Sequence, residues 1–368
     1  YDLADEGATR PVITYQAKVP YMAAKPERGS YGCVLAADGQ AVWHFTRHLG
    51  MIEARRHDLA TGQETVVVTA PAPFETYGAF SRSADGQRIS LECFLGDGQT
   101  EGAPWGLYIF DLVKGTHSLV EVGNGCAGMH AQYSPNPDPA SAHDILLQAQ
   151  PDRTLDGSWR NLPNGTWPMN ANGGTRSSDT LGTALLVVRD DGTHWRMLPL
   201  GRDPRQINSH QCWRGPSGAV VAATYMVTPE RWRAPLIEAR PIPISTPAER
   251  WLGMNHPQAQ QTDLARCLAR ADSTHFGFDA SGRHFISDTD GYNDGRLSFL
   301  YVGTYVEPPN DAPFVKTRYL VLPRSNWSTQ PGGVDPHAFL SPDGRHAVFM
   351  SAFTGQWQIY LATNFAYP

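Results

Sequence analysis

Short stretches of alternating apolar and polar residues, separated by tight turns, recur along the chain. In the first of them Cys33–Leu35 leads to an Asp38-Gly39 turn and then to Ala41–Phe45. Alternation with a period of two residues is the pattern of a half-buried β-strand, and an Asp-Gly pair between two such runs is typical of a hairpin. The pattern therefore predicts antiparallel sheets built from strands that follow one another in sequence.

This unit of strand, turn and strand occurs six times, and five of the six copies have Asp-Gly or Ser-Gly in the turn. The copies begin at Ser30, Tyr77, His130, His210, His275 and His337. Copies spaced by roughly 45 to 80 residues are typical of a β-propeller whose blades carry loop insertions. We predict an all-β β-propeller that forms one domain over residues 1–368. We expect seven blades, six of them read directly and the seventh using a strand at Val12–Val19.

Two long segments interrupt this rhythm. Asp152–Asp179 is rich in Gly, Asn, Pro and Trp, and a second excursion runs from Thr228 to Asp272. Long loops of this kind are usually functional or mobile. Within the second excursion, the pattern of Gln260–Arg270 predicts a short helix.

Composition narrows the class of protein. The chain is 41% hydrophobic and 18% charged, which suits a packed core and argues against disorder. The formal net charge of −6 argues against nucleic acid as a partner, and no apolar run is long enough to cross a membrane. The oligomeric state is not indicated. Because the chain starts at Tyr1 and not at Met, as after signal-peptide removal or trimming, we expect a secreted or periplasmic protein, with the cytoplasm as the alternative.

Four consecutive copies open with a histidine, namely His130, His210, His275 and His337. Equivalent positions in successive blades of a propeller face one common axis. We therefore expect these four imidazoles to meet at one site although they are far apart in sequence. Histidine is suited both to proton transfer near neutral pH and to metal binding.

The four histidines lie in the segments Met129–Pro135, Ser209–Trp213, Ser273–His275 and Asp335–Gly344. These segments, together with the Ile359–Ala362 ending, resemble the oligogalacturonate lyases, which are β-propeller polysaccharide lyases that cleave short pectic uronides. The resemblance covers residues 30–365, with insertions, and implies a carbon–oxygen lyase that acts on an acidic oligo- or polysaccharide. Lyases of ulvan or of rhamnose–glucuronate linkages resemble the same scaffold. Those substrates stay open as alternatives, as does a non-catalytic propeller that binds glycan or protein.

The resemblance also implies roles for single residues. The family binds a divalent metal through three histidines and a glutamine; His275 and His337 match two of these histidines, and Asp335 stands where the third would be. The glutamine position holds Gly332, with Gln330 close by. We expect Mn²⁺, with Zn²⁺ or Ca²⁺ as alternatives, although calcium prefers ligand sets made of oxygen.

A uronide lyase removes the C5 proton, which lies α to a carboxylate, and the C4–O bond then breaks. The catalytic base of the family falls on His210, and Arg176 is the arginine nearest to the position of the catalytic arginine. Tyr225, on the strand after His210, is a candidate donor of the proton that the leaving oxygen needs. We assign substrate binding to His130, Gln150 and Arg214.

Overall fold

The structure is a computed structural model of the 368-residue chain. It describes residues 30–73, 75–96, 104–123, 129–149, 184–201, 206–228, 231–233, 236–264, 273, 275–289, 299–323, 336–351 and 358–368. The chain folds as two compact units. The first comprises residues 1–131 and 153–175, and the second comprises residues 132–152 and 176–368. The prediction of a single domain stays a prediction.

The first unit contains two four-stranded antiparallel sheets. One sheet has, in hydrogen-bonded order, β1 (Ser30–Leu35), β2 (Ala41–His48), β3 (Met51–Asp58) and β4 (Glu64–Pro71). The other has β5 (Glu75–Arg82), β6 (Arg88–Phe94), β7 (Trp105–Asp111) and β8 (Thr116–Gly123). A buried cluster that includes Trp43, Phe45, Ile89 and Phe110 joins the two sheets.

The second unit contains four further antiparallel sheets. Its strands are β9 (Gln132–Tyr133), β10 (Asp144–Ala149), β11 (Ala184–Arg189), β12 (Arg196–Met197), β13 (Gln206–Trp213), β14 (Val220–Thr228), β15 (Arg231–Arg233), β16 (Leu236–Ala239), β17 (Ile242–Pro243), β18 (Gln261–Asp263), β19 (Phe276–Phe278), β20 (His284–Asp288), β21 (Leu300–Val306), β22 (Phe314–Val321), β23 (Phe339–Leu340), β24 (Ala347–Ser351) and β25 (Gln358–Ala362).

The sheet orders in this unit are β17–β12–β11–β10–β9, then β13–β14–β16–β18 with β15 on β14, then β19–β20–β21–β22, and finally β23–β24–β25. Successive sheets are joined by buried apolar clusters. The only helices among the described residues are three short 3₁₀ helices at Gly215–Ser217, Pro247–Trp251 and Gly253–Asn255. No helix in the described part of the chain has the length and apolar character that a membrane span needs.

Up-and-down antiparallel sheets of this kind are the blades of a β-propeller, and the predicted all-β fold class is confirmed. The described residues form six blades; a seventh is not confirmed. The predicted strand at Val12–Val19 lies outside the described residues. The predicted helix at Gln260–Arg270 is wrong where it can be compared, because Gln261–Asp263 forms strand β18 against β16.

The predicted hairpin turns join the first two strands of a blade in five of the six copies. In the first blade the Asp38 carboxylate accepts the backbone N–H of Gln40 at 2.9 Å, and Gly39 has a φ of +68°. The same left-handed glycine closes the turn in four other copies, at Gly86, Gly218, Gly282 and Gly344. Glycine has no Cβ that would clash in this conformation, so the Asp-Gly and Ser-Gly pairs fix the register of the first two strands in these five blades.

One glycine inside a strand has a packing role that a variant can test. A Cβ built at Gly303, on β21, would collide with the Phe285 ring and lie 2.7 Å from the carbonyl oxygen of Lys316. We therefore expect Gly303→Ala to lower the free energy of unfolding by about 1–3 kcal/mol, measured by urea denaturation. Gly277→Ala, on β19 of the same sheet, is the matched control, because no atom lies within 4 Å of its added Cβ. Equal effects of the two variants would contradict this packing.

Candidate active site

Three of the four repeat-opening histidines lie in the second unit, each at the first strand of its blade. His210 is in β13, His275 directly precedes β19, and His337 lies two residues before β23. Strand β19 packs against both β13 and β23. This stacking of first strands brings together side chains that are more than sixty residues apart in the chain.

The three imidazole rings form a continuous row, here called the histidine row. The ring centroids of His210 and His275 are 4.5 Å apart, and those of His275 and His337 are 3.9 Å apart. His210 and His275 are half-buried, whereas His337 is exposed. The predicted convergence is thus confirmed for these three histidines, while the role of each stays a prediction.

The middle ring of the row is held by a buried carboxylate that sequence reasoning missed. Asp288, 1% exposed, accepts the backbone N–H of His275 at 2.7 Å with Oδ1, and its Oδ2 lies 3.0 Å from Nδ1 of the imidazole. The Asp288 N–H donates to the carbonyl oxygen of His275 at 3.0 Å, and the Ser287 hydroxyl donates to the same oxygen. An ionised Asp288 needs a proton on Nδ1, and this leaves the lone pair of the ring on Nε2.

The backbone departs from regular β structure at the other two histidines of the row. The pairing of β13 with β14 shifts register between Asn208 and His210, which is the signature of a β-bulge. His337 has a φ of +43°, a conformation that a side chain with a Cβ adopts only at a cost. Its neighbours Pro336 and Ala338 are buried, so one exposed imidazole lies between two buried residues.

His130 belongs to the first unit and is described there. Its φ is +47°, and its neighbours Met129 and Ala131 are buried while His130 itself is half-buried. The carboxyl group of Glu92 accepts the N–H of Met129 at 2.9 Å and the N–H of Ala131 at 2.7 Å. Burial raises the pKa of Glu92 to about 8, although the two amide donors lower it.

The remaining predicted site residues are only partly described. Arg214 is buried, where its Nε donates to Glu238 at 3.1 Å and its guanidinium lies 4.0 Å from the centre of the Tyr305 ring. Of Tyr225 the structure describes the backbone, which pairs with Ile207. Three predicted site residues lie outside the described residues, namely Gln150, Arg176 and Asp335. The predicted roles of these five residues stay predictions.

The fit of a metal can be judged from the donor chemistry of the row. His275 and His337 are nitrogen donors with rings in contact, and the bond from His275 Nδ1 to Asp288 is the arrangement that orients many metal-binding histidines. Two imidazoles suit Mn²⁺ or Zn²⁺. Within the described residues, however, no three His, Cys, Asp or Glu side chains are arranged to hold a metal ion. A complete ligand set therefore needs a further donor. We predict that Asp335 is this donor.

A shallow cavity of about 420 Å³ lies elsewhere in the second unit. It is lined by residues on and beside β12 and β17, with Arg250 stacked 3.7 Å from the centre of the Trp195 ring. These strands are at the edge of their sheet opposite β9. None of the predicted site residues lines this cavity.

Asp288 and Glu92 each left a weak signal in the sequence. Glu92 is the single charged residue of the buried strand segment Ile89–Phe94, and Asp288 is the single charged residue of the buried strand segment Phe285–Asp288. A charge inside a buried apolar strand is rarely tolerated without a specific partner. The sequence could therefore have marked both carboxyl groups as candidates, but not their partners.

Comparison with known proteins shows the fold. No family model matches the chain, and no curated protein matches it in sequence. An oligogalacturonate lyase in complex with manganese matches in structure with a TM-score of 0.60 at 18% identity, over 90% of this chain and 76% of that one. The oligogalacturonate lyase of Vibrio parahaemolyticus matches with a TM-score of 0.60 at 15% identity, over 90% of this chain and 76% of that one.

A propeller of another kind also matches. The β-propeller domain of Cps50 (Swd1) from Myceliophteria thermophila has a TM-score of 0.50 at 12% identity, over 92% of this chain and 87% of that one. Likeness at such low identity extends to the arrangement of the chain and not to its chemistry. The chain therefore has the β-propeller fold that these solved structures share.

Proposed function

We propose that the protein is a lyase that cleaves a uronate-containing oligo- or polysaccharide by β-elimination. The observation that carries this proposal is the histidine row, in which the His275 ring contacts the rings of His210 and His337. These contacts support the proposal of a base at His210 next to metal ligands at His275 and His337. Two further findings support it. The segments around these histidines resemble those of oligogalacturonate lyases, and solved structures of two such lyases share the fold.

In the proposed reaction His210 removes the C5 proton of a uronate residue. The electron pair of the C5–H bond forms a C4–C5 double bond, and the C4–O bond breaks with its electrons on the leaving oxygen. That oxygen takes a proton from Tyr225 or from water. Histidine suits the role of the base because its ordinary pKa, about 6.5, lies near neutral pH.

The substrate carboxylate must be neutralised while negative charge develops at C5. Arg176 is our candidate for this contact, and His130, Gln150 and Arg214 are our candidates for binding the rest of the sugar. His275, His337 and Asp335 would hold a divalent metal, Mn²⁺ in the first instance, and Zn²⁺ or Ca²⁺ stay alternatives. When bound, such an ion supplies a Lewis acid for the carboxylate. A secreted or periplasmic location also stays a proposal.

A substrate panel tests this function. We would incubate the protein with oligogalacturonate, ulvan and a rhamnose–glucuronate glycan, each with Mn²⁺, Zn²⁺, Ca²⁺ or a chelator, and follow the ultraviolet absorbance of the unsaturated uronate. We expect absorbance to rise with one of the three glycans. The rate of this rise should be lower when the chelator is present. Binding of a glycan without any absorbance change would favour the non-catalytic propeller, and neither binding nor product would overturn the acidic-glycan function altogether.

A further inference from the structure

Glu92 is a buried carboxyl group that the proposed reaction does not use. It lies on β6 between Leu91 and Cys93, and all three residues are fully shielded from solvent. A carboxyl group at such a position is costly to bury unless donors surround it. Its two oxygens are directed at one short piece of chain: Oε2 accepts from the N–H of Met129, and Oε1 accepts from the N–H of Ala131.

These two amides lie on either side of His130. A single carboxyl group that bridges the N–H groups of residues two apart restrains the backbone of the residue between them. That residue is in the left-handed region, at a φ of +47°, which is unfavourable for a histidine without support from its surroundings. The bridge therefore stabilises a conformation that His130 would not adopt by itself.

At the other left-handed histidine, His337, a proline takes the place of this bridge. The tripeptide Pro336-His337-Ala338 corresponds in the repeat to Met129-His130-Ala131, and His337 has almost the same φ, +43°. The residue before His337 is a proline, which has no N–H that needs an acceptor and whose φ is fixed by its ring. Met129 is not so restrained and has an N–H, and Glu92 supplies the acceptor for it.

We propose that Glu92 is a positioning residue, which holds His130 in its left-handed conformation so that the half-buried imidazole is presented to the substrate. The inference rests on the proposed function, because it takes its purpose from the binding role assigned to His130. Glu92 itself, with no exposed surface, does not touch the sugar. It acts through the backbone of residues 129–131.

The kinetic test uses Glu92→Gln. The carboxamide keeps the size of the side chain but directs an NH₂ group at one of the two amides, so that a donor faces a donor. We expect KM for the glycan cleaved in the substrate panel to rise about 10-fold and kcat to change by less than about 3-fold, the pattern of lost binding. His130→Ala should raise KM similarly, and the double variant should be no worse than the poorer single variant.

Glu53→Gln is the matched control, since Glu53 is also a buried glutamate of the first unit, paired with Arg55 at 2.5 Å and not with residues 129–131. Its KM should stay within about 2-fold of the wild type. If Glu92→Gln leaves KM unchanged, or if its effect simply adds to that of His130→Ala, the positioning role is overturned while the lyase function stands. If Glu92→Gln does not fold, Glu92→Asp, which keeps the carboxyl group but shortens its reach, must raise KM above that of Glu53→Asp.

A second readout does not depend on turnover. In histidine-labelled protein, Glu92→Gln should shift the imidazole NMR signals of His130, assigned with His130→Ala, and leave those of His117 unchanged. Unchanged His130 signals would overturn the inference even if no substrate is found. If the His130 signals shift in a protein that cleaves none of the glycans, the positioning role stands and only the proposed reaction is overturned.

Discussion

Replacing His210 with alanine is expected to remove most of the lyase activity. Loss of a general base lowers kcat by about 10²–10⁴-fold, because the proposed reaction assigns the C5 proton to this imidazole. KM should change much less, since substrate binding is assigned to other residues. The measurement is the initial rate of ultraviolet absorbance increase, at saturating concentrations of the glycan that the wild type cleaves.

His256→Ala is the control for this variant. His256 lies in the second unit directly after the 3₁₀ helix Gly253–Asn255, and its Nδ1 accepts the N–H of Gln258 at 3.1 Å. It should keep kcat within about 2-fold of the wild type. Comparable rates for wild type and His210→Ala would show that the base is another residue.

Replacing Asp288 with asparagine is expected to weaken metal binding. The amide can present its oxygen to the backbone N–H of His275 only by turning its NH₂ group towards Nδ1 of the ring. Nδ1 then has to accept, the ring proton moves to Nε2, and the lone pair that would bind a metal is lost. Substitution of such a carboxylate partner typically costs about 10–100-fold in metal affinity or activity.

Titration of the metal-free variant with Mn²⁺ measures this effect. Asp263→Asn, at an exposed position on β18 of the same unit, should bind the ion as the wild type does. Equal affinities of Asp288→Asn and the wild type would mean that His275 does not bind the ion through Nε2. The unfolding midpoints of all three proteins should be compared first, because Asp288 also accepts a backbone hydrogen bond.

The repeat pattern contained most of the fold. The alternation of apolar residues predicted the strands, and in five repeat copies the Asp-Gly or Ser-Gly pair proved to be a left-handed turn between the first two strands of the blade, as at Gly39 and Gly344. The contacts of the histidine row could be predicted for the same reason, since side chains at one repeat position lie on neighbouring first strands.

Features that depend on partners distant in sequence were not predictable. Strand β17 pairs with β12, which lies more than forty residues earlier in the chain. It therefore belongs to a different blade from β16, the strand that directly precedes it in sequence. Strands of two residues are too short to show an alternation of apolar and polar residues, so the sequence pattern cannot predict them. Likewise, the sequence shows that Asp288 and Glu92 are single charged residues in largely apolar strand segments, but only the fold shows which backbone amides they bind.

The most direct test of the elimination site is a crystal structure of the His210→Ala protein with the glycan that the wild type cleaves, bound uncleaved. We expect the uronate carboxylate to lie beside His275 and His337, with C5 facing the space that the His210 imidazole fills in the wild type. A sugar bound away from these histidines, for example in the cavity beside Trp195, would contradict their assignment as one catalytic centre.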